Sequence, residues 1–139
     1  MRVAALAAVA AALLFGSAGS PHASPSTSCG GTAGRDTLRG TPGADVLCGL
    51  AGNDSITGME GNDRIDGGPG NDVIDGSPGN DRIVGGPGTD FIAGGLGNDV
   101  INSRDGEYDR VDCAKGVDVV YADAVDKVSG FTCETIKRG

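Results

Sequence analysis

From residue 34 to residue 105 the chain repeats every nine residues without a gap, and this period restricts its possible folds more than any other feature. The eight units read GRDTLRGTP, GADVLCGLA, GNDSITGME, GNDRIDGGP, GNDVIDGSP, GNDRIVGGP, GTDFIAGGL and GNDVINSRD. Aspartate holds the third place in each: Asp36, Asp45, Asp54, Asp63, Asp72, Asp81, Asp90 and Asp99. Two residues later comes an aliphatic: Leu38, Leu47, Ile56, Ile65, Ile74, Ile83, Ile92 and Ile101. The chain carries 26 glycines, which without a period would point to disorder; here a second glycine column runs from Gly40 to Gly94 in the same register.

Each unit has a direct physical reading. The three residues after the aspartate, such as Val73-Ile74-Asp75, suit a very short strand whose alternation sends the central aliphatic to one face. The glycine-rich remainder must bend the chain sharply. One strand and one bend make half a coil, so two units close a coil of 18 residues. Stacked coils place strand over strand about 4.8 Å apart, and the two aliphatic columns meet as a thin core. The expected fold is therefore all-β: a right-handed parallel β-roll, a two-sheet β-solenoid with short disulfide-stapled caps.

With no Trp, 3 Phe and 2 Tyr, such a chain has little else to build a core from. Carboxylates stacked at coil spacing repel one another. The net charge of −8 argues against nucleic acid and anionic membranes as partners and for cations. A hard divalent cation between turns would remove the repulsion and engage the turn carbonyls. Calcium suits such a gap because it accepts six to eight oxygens in flexible geometry, whereas magnesium demands a stricter octahedron. Softer metals prefer Cys and His, and the aspartate column holds neither. A lone Gly-Asn-Asp would be read as an Asx turn; eight in register, each followed by an aliphatic, point to metal.

The stretch resembles the hemolysin-type, or RTX, calcium-binding repeat, written G-G-x-G-x-D followed by x, a large aliphatic and x. Three copies match throughout: Gly67-Gly68-Pro69-Gly70-Asn71-Asp72, Gly85-Gly86-Pro87-Gly88-Thr89-Asp90 and Gly94-Gly95-Leu96-Gly97-Asn98-Asp99. Others keep the outer glycines and the Asp but have Thr41, Leu50, Met59 or Ser77 at the second place. The resemblance implies calcium held between turns two repeats apart on one edge of a β-roll. It pairs Asp36 with Asp54, Asp45 with Asp63, Asp54 with Asp72, Asp63 with Asp81, Asp72 with Asp90 and Asp81 with Asp99. Interior aspartates would each serve two ions, and backbone carbonyls would complete the shells. The end sites depart from the pattern: Arg35 stands where Asn is usual in this chain, and Ser103 replaces a leading glycine.

Outside the repeat, residues 1–23 read as a secretory signal peptide. Arg2 supplies the positive start, Val3 to Phe15 is an unbroken apolar run, and Gly16, Ala18 or Ala23 offers a cleavage position. The run is short for a membrane span, and an uncleaved anchor is the alternative. The single histidine, His22, falls in this segment, which argues against histidine chemistry in the mature chain. Residues 24–33 form a leader and N-terminal cap, 34–105 the roll, and 106–139 degenerate repeats with a C-terminal cap. After Asp99 the register slips by one; Asp109-Arg110-Val111 and Asp118-Val119-Val120 resume it, and Val128 extends the aliphatic column. Asp109 and Asp118 are either further ligands or plain turn carboxylates.

Four cysteines in an exported chain imply disulfides. Cys48 and Cys113 lie several coils apart, roughly 17 Å along the stack at the strand spacing, whereas a disulfide needs Cα atoms within about 7 Å. Sequential pairs, Cys29–Cys48 and Cys113–Cys133, are therefore favoured. The spacing supports neither a redox CxxC nor a zinc site.

The functional expectation is a secreted, extracellular, monomeric protein whose partner is calcium and whose roll folds when calcium is met after export. RTX proteins commonly leave through a dedicated exporter that reads a C-terminal signal; the N-terminal segment here points instead to the general secretory route. No H-E-x-x-H, G-x-S-x-G or Cys-His pair is present, so no catalytic residue is assigned and an enzyme is not expected. The alternative is a surface-interaction protein using the outward positions Thr37, Val46, Ser55, Arg64, Val73, Arg82, Phe91 and Val100. That mixture holds no threonine row of the kind an ice binder would need.

Overall fold

Each aspartate of the repeat is followed by a strand of three residues. In the computed structural model, which describes residues 29–130 and 133–139, these are β1 (Thr37–Arg39), β2 (Val46–Cys48), β3 (Ser55–Thr57), β4 (Arg64–Asp66), β5 (Val73–Asp75), β6 (Arg82–Val84), β7 (Phe91–Ala93) and β8 (Val100–Asn102). The remaining strands are β9 (Arg110–Asp112), β10 (Val119–Ala122), β11 (Lys127–Ser129) and β12 (Thr135–Arg138). The signal-peptide reading of residues 1–23 and the leader up to residue 28 lie outside the described residues. Among those described, no helix is long and apolar enough to cross a membrane.

The chain winds alternately between two six-stranded parallel sheets. One runs β1-β3-β5-β7-β9-β11 and the other β2-β4-β6-β8-β10-β12. Odd and even half-coils therefore build opposite walls, as the 18-residue period requires. The register holds that period through the repeat: Ile56 lies over Leu38, Ile74 over Ile56 and Ile92 over Ile74. It then changes. Arg110 lies over Phe91 and Val119 over Val100, each 19 residues on; Lys127 lies over Arg110 after 17. The extra residue sits in the turn between β8 and β9, so the strands absorb none of it.

The core is the two aliphatic columns facing each other. Ile56, Ile65, Ile74, Ile83, Ile92 and Ile101 are buried, and Val111 and Val120 continue the columns into β9 and β10. Leu38 and Val128 close the two ends, partly buried against it. Burying one such aliphatic contributes about 1.5–3 kcal/mol, and each half-coil contributes one. Both sequential disulfides form near the ends, Cys29–Cys48 with Cα atoms 4.5 Å apart and Cys113–Cys133 with 5.5 Å.

The second place of the turn shows a feature the motif did not foretell. Loss of glycine there reads as a break from the pattern, yet Leu50, Met59 and Ser77 keep a left-handed backbone, with φ of 73°, 81° and 72°. They match Gly68, whose φ is 89°. The stacked turn keeps that conformation with leucine, methionine or serine in place of glycine. Thr41 does not adopt it.

Candidate metal centre

Because each turn ends in an aspartate immediately before a strand, the coil period stacks these residues in two columns. Asp36, Asp54, Asp72, Asp90, Asp109 and Asp126 precede the strands of one sheet; Asp45, Asp63, Asp81, Asp99 and Asp118 precede five strands of the other. All but Asp36 are buried.

Within a column each carboxylate is fixed by the coil before it. Oδ1 of Asp54 accepts the backbone N–H of Asp36 at 2.7 Å. Asp63 accepts that of Asp45, Asp72 that of Asp54, Asp81 that of Asp63, Asp90 that of Asp72 and Asp99 that of Asp81, each at 2.8 Å. The six pairs expected from the repeat are thus brought together, with the backbone of one member donating to the side chain of the next. The ladder continues through Asp109 and Asp118 at 2.8 Å and ends at Asp126 at 3.1 Å.

The second oxygen is left over. Oδ2 of Asp54, Asp63, Asp72, Asp81, Asp90, Asp99, Asp109 and Asp118 is buried with no hydrogen-bond donor. A buried unsatisfied polar atom costs about 1–3 kcal/mol, and more when charged. The surroundings of these atoms are oxygen-rich. A methyl group on Gly67 would collide both with Oδ2 of Asp72 and with the carbonyl oxygen of Gly85 in the next coil. Glycine therefore keeps open a gap bordered by a carboxylate of one turn and a carbonyl of the next. Gly49, Gly58 and Gly76 repeat the arrangement with Asp54, Asp63 and Asp81.

Burial raises the carboxyls of Asp81, Asp90 and Asp109 from 3.8 to about 7, and Asp99 to about 6, despite the backbone N–H each accepts. Neighbouring carboxylates push the same way: Asp99 and Asp63 on Asp81, Asp72 on Asp90. Asp63, Asp72 and Asp118 are raised for the same first reason. Around neutral pH such a column needs protons or cations. No three His, Cys, Asp or Glu side chains converge on one point among the described residues. A gap thus offers one or two carboxylates and backbone carbonyls, an all-oxygen set that fits a hard cation with flexible coordination.

The predicted ligands do not all stand alike. Asp54, Asp63, Asp72, Asp81, Asp90 and Asp99 carry the orphaned oxygen. Asp36 and Asp45 do not: Oδ2 of Asp36 accepts the N–H and hydroxyl of Thr32 at 2.6 and 2.9 Å, and Oδ2 of Asp45 those of Thr41 at 2.5 and 3.1 Å. Asp109 and Asp118, left open by the sequence, join the orphaned set. Asp126 escaped sequence reasoning, lying eight residues after Asp118 behind Ala-Val rather than Gly-Asn; the clue was Val128 two places on. Its Oδ2 accepts the Ser103 hydroxyl at 3.0 Å and the Asp123 N–H at 2.7 Å.

A second side-chain ladder runs beside the first with the opposite sense. Oδ1 of Asn53 accepts from the N–H of Asn71, Asn62 from Asn80, Asn71 from Thr89 and Asn80 from Asn98, at 2.8–3.0 Å.

Compared with known families, the chain matches the RTX calcium-binding nonapeptide repeat in four overlapping copies, at residues 30–65, 41–74, 49–83 and 75–107. The chain belongs to this family. No curated protein and no solved structure matches it. Membership in the RTX family gives the paired carboxylate columns their coarse meaning: this is a calcium-binding β-roll. The RTX match ends at residue 107, while the aspartate ladder runs on to Asp126.

Proposed function

We propose that the chain is a secreted, monomeric calcium-binding module, without catalytic activity, whose roll is completed by calcium after export. The single observation behind this reading is the set of eight buried carboxylate oxygens with no donor, four in each column of turns. Asp54, Asp63, Asp72, Asp81, Asp90, Asp99, Asp109 and Asp118 would hold the ions, joined by carbonyls such as those of Gly67, Gly76, Gly85 and Gly94. Bound calcium supplies the positive charge that lets stacked carboxylates stay ionised while buried. The protein's own residues do the rest: Oδ1 aligns neighbouring coils, glycine keeps the gap open, and the aliphatic columns exclude water. Export is supported by the apolar N-terminal run and the two disulfides.

Circular dichroism of the chain titrated with calcium and, separately, with magnesium tests the reading, with calorimetry to count ions. Calcium should raise the β signal cooperatively while magnesium fails to. A spectrum indifferent to chelator would reject it.

One observation favours a second role. Arg64 and Arg82 lie opposite each other on β4 and β6, facing outward, and like charges so placed cost stability. An anionic partner on that sheet would relieve them. Binding of an acidic polysaccharide to the calcium-loaded chain, lost in Arg64→Ala with Arg82→Ala, would support this role, and equal binding by the variant would dismiss it.

A further inference from the structure

We infer that Thr32 and Thr41 stand in for the cation in the first coil, so that the N-terminal end of the roll closes without calcium and seeds the rest. This rests on the calcium reading and narrows it: Asp36 and Asp45 keep their place in the ladder but lose their place in the ion shells.

Apart from the irregular turns before Asp109 and Asp126, the turns fall into two kinds at their second place. In the interior, Leu50, Met59, Gly68, Ser77, Gly86 and Gly95 are all left-handed, as is Ala114 further on. Their N–H groups point elsewhere: that of Gly68 donates to the carbonyl of Gly85 at 3.1 Å, and that of Ser77 to Oδ1 of Asp75 at 2.9 Å. In each such turn the closing aspartate keeps a bare Oδ2. In the first two turns the residue is threonine and the backbone is not left-handed. There the N–H swings onto the carboxylate, and the hydroxyl joins it. Two donors on one carboxylate oxygen do locally what a cation does elsewhere: at buried Asp45 they satisfy the lone pairs of a charge withdrawn from water, and at half-buried Asp36 they hold the carboxylate in the same place.

The same coil has other supports of its own. Cys29–Cys48 ties its entry to β2. The carbonyls of Asp36 and Asp45 accept the N–H groups of Ser55 and Arg64, so a closed first coil presents a ready template to the second. A solenoid grows by adding coils to a formed neighbour, and a seed that needs no ion removes the slowest addition.

Calorimetric titration with calcium chloride of the full, disulfide-bonded chain tests this. Thr41→Gly and Thr32→Gly restore the glycine of the repeat and remove both contacts of the hydroxyl turn; Thr41→Ser keeps a hydroxyl. Each glycine variant should bind one more calcium ion per chain than the parent, and the serine variant the same number. In chelator, the Gly31 amide, which donates to the Cys48 carbonyl within the first coil, should exchange slowly in the parent and fast in the glycine variants. Unchanged stoichiometry in both glycine variants, with the interior sites still filling, would overturn the inference alone. So would a glycine variant that stays unfolded in saturating calcium, because the ion would then have failed to replace the hydroxyl. A parent chain that binds no calcium would instead overturn the functional reading, and this inference with it.

Discussion

Asp72 donates its backbone N–H to Oδ1 of Asp90 at 2.8 Å, one coil further along, while Oδ2 of Asp90 has no donor at all. The two oxygens of one carboxylate thus have separate tasks. One ties coil to coil and needs only a lone pair. The other carries charge into a buried gap and needs a counter-charge.

Asparagine separates the two tasks. Asp90→Asn keeps an oxygen for the Asp72 N–H but puts a neutral amide where the charge was. In chelator the variant should be no less stable than the parent, since the buried charge is gone. With calcium it should gain less, by about 1–3 kcal/mol, the range for a lost buried polar contact. Asp90→Ala should be weaker in both conditions. Thermal unfolding with and without calcium measures all three.

The raised carboxyls set a pH dependence with a definite sign. Folded Asp81, Asp90 and Asp109 titrate at about 7 and Asp99 at about 6, against 3.8 ordinarily. Between those values the folded chain holds more protons than the unfolded one, so stability falls as pH rises. The stabilisation is fully present below about pH 4 and is lost on passing through about pH 6–7. Chelated protein should therefore gain β structure on acidification from about pH 8 to about pH 5. Calcium added near neutrality should release protons, measurable in a weakly buffered titration.

Backbone conformation gives a third expectation, with opposite outcomes at adjacent positions. Leu50 is exposed and left-handed at φ 73°, so Leu50→Gly should relieve strain and stabilise by roughly 0.5–1 kcal/mol net of glycine's entropy. Gly49, its neighbour, has Oδ2 of Asp54 and the Gly67 carbonyl where a methyl would go. Gly49→Ala should be severely destabilising, because coil spacing cannot widen at one point. Melting temperatures in saturating calcium would show the contrast.

Much of this was legible in the residues because the period is physical. The aliphatic two places after each aspartate had to face inward, and Ile56 to Ile101 do. The coil of 18 residues comes from two walls, and the sheet order confirms it. Cysteine placement allowed only short bridges, and those formed. The features that the residues did not reveal depend on local hydrogen bonds. A motif cannot tell that threonine at the second place turns its N–H onto Asp45 while leucine at the same place in the next turn does not. Nor could it find Asp126, whose turn abandons glycine and is held by Ser103 and Asp123 instead.

The turn from Ser103 to Tyr108 carries one residue more than its counterparts, yet β9 still lands on β7 and β10 on β8. Length is therefore counted strictly along the walls and loosely at the corners. A chain of this design can acquire new sequence at a corner as a protruding loop, out in solvent, without disturbing the interior or the alignment of later coils. The architecture can in this way hold its ions on a fixed lattice while offering its corners as places where new surfaces are displayed.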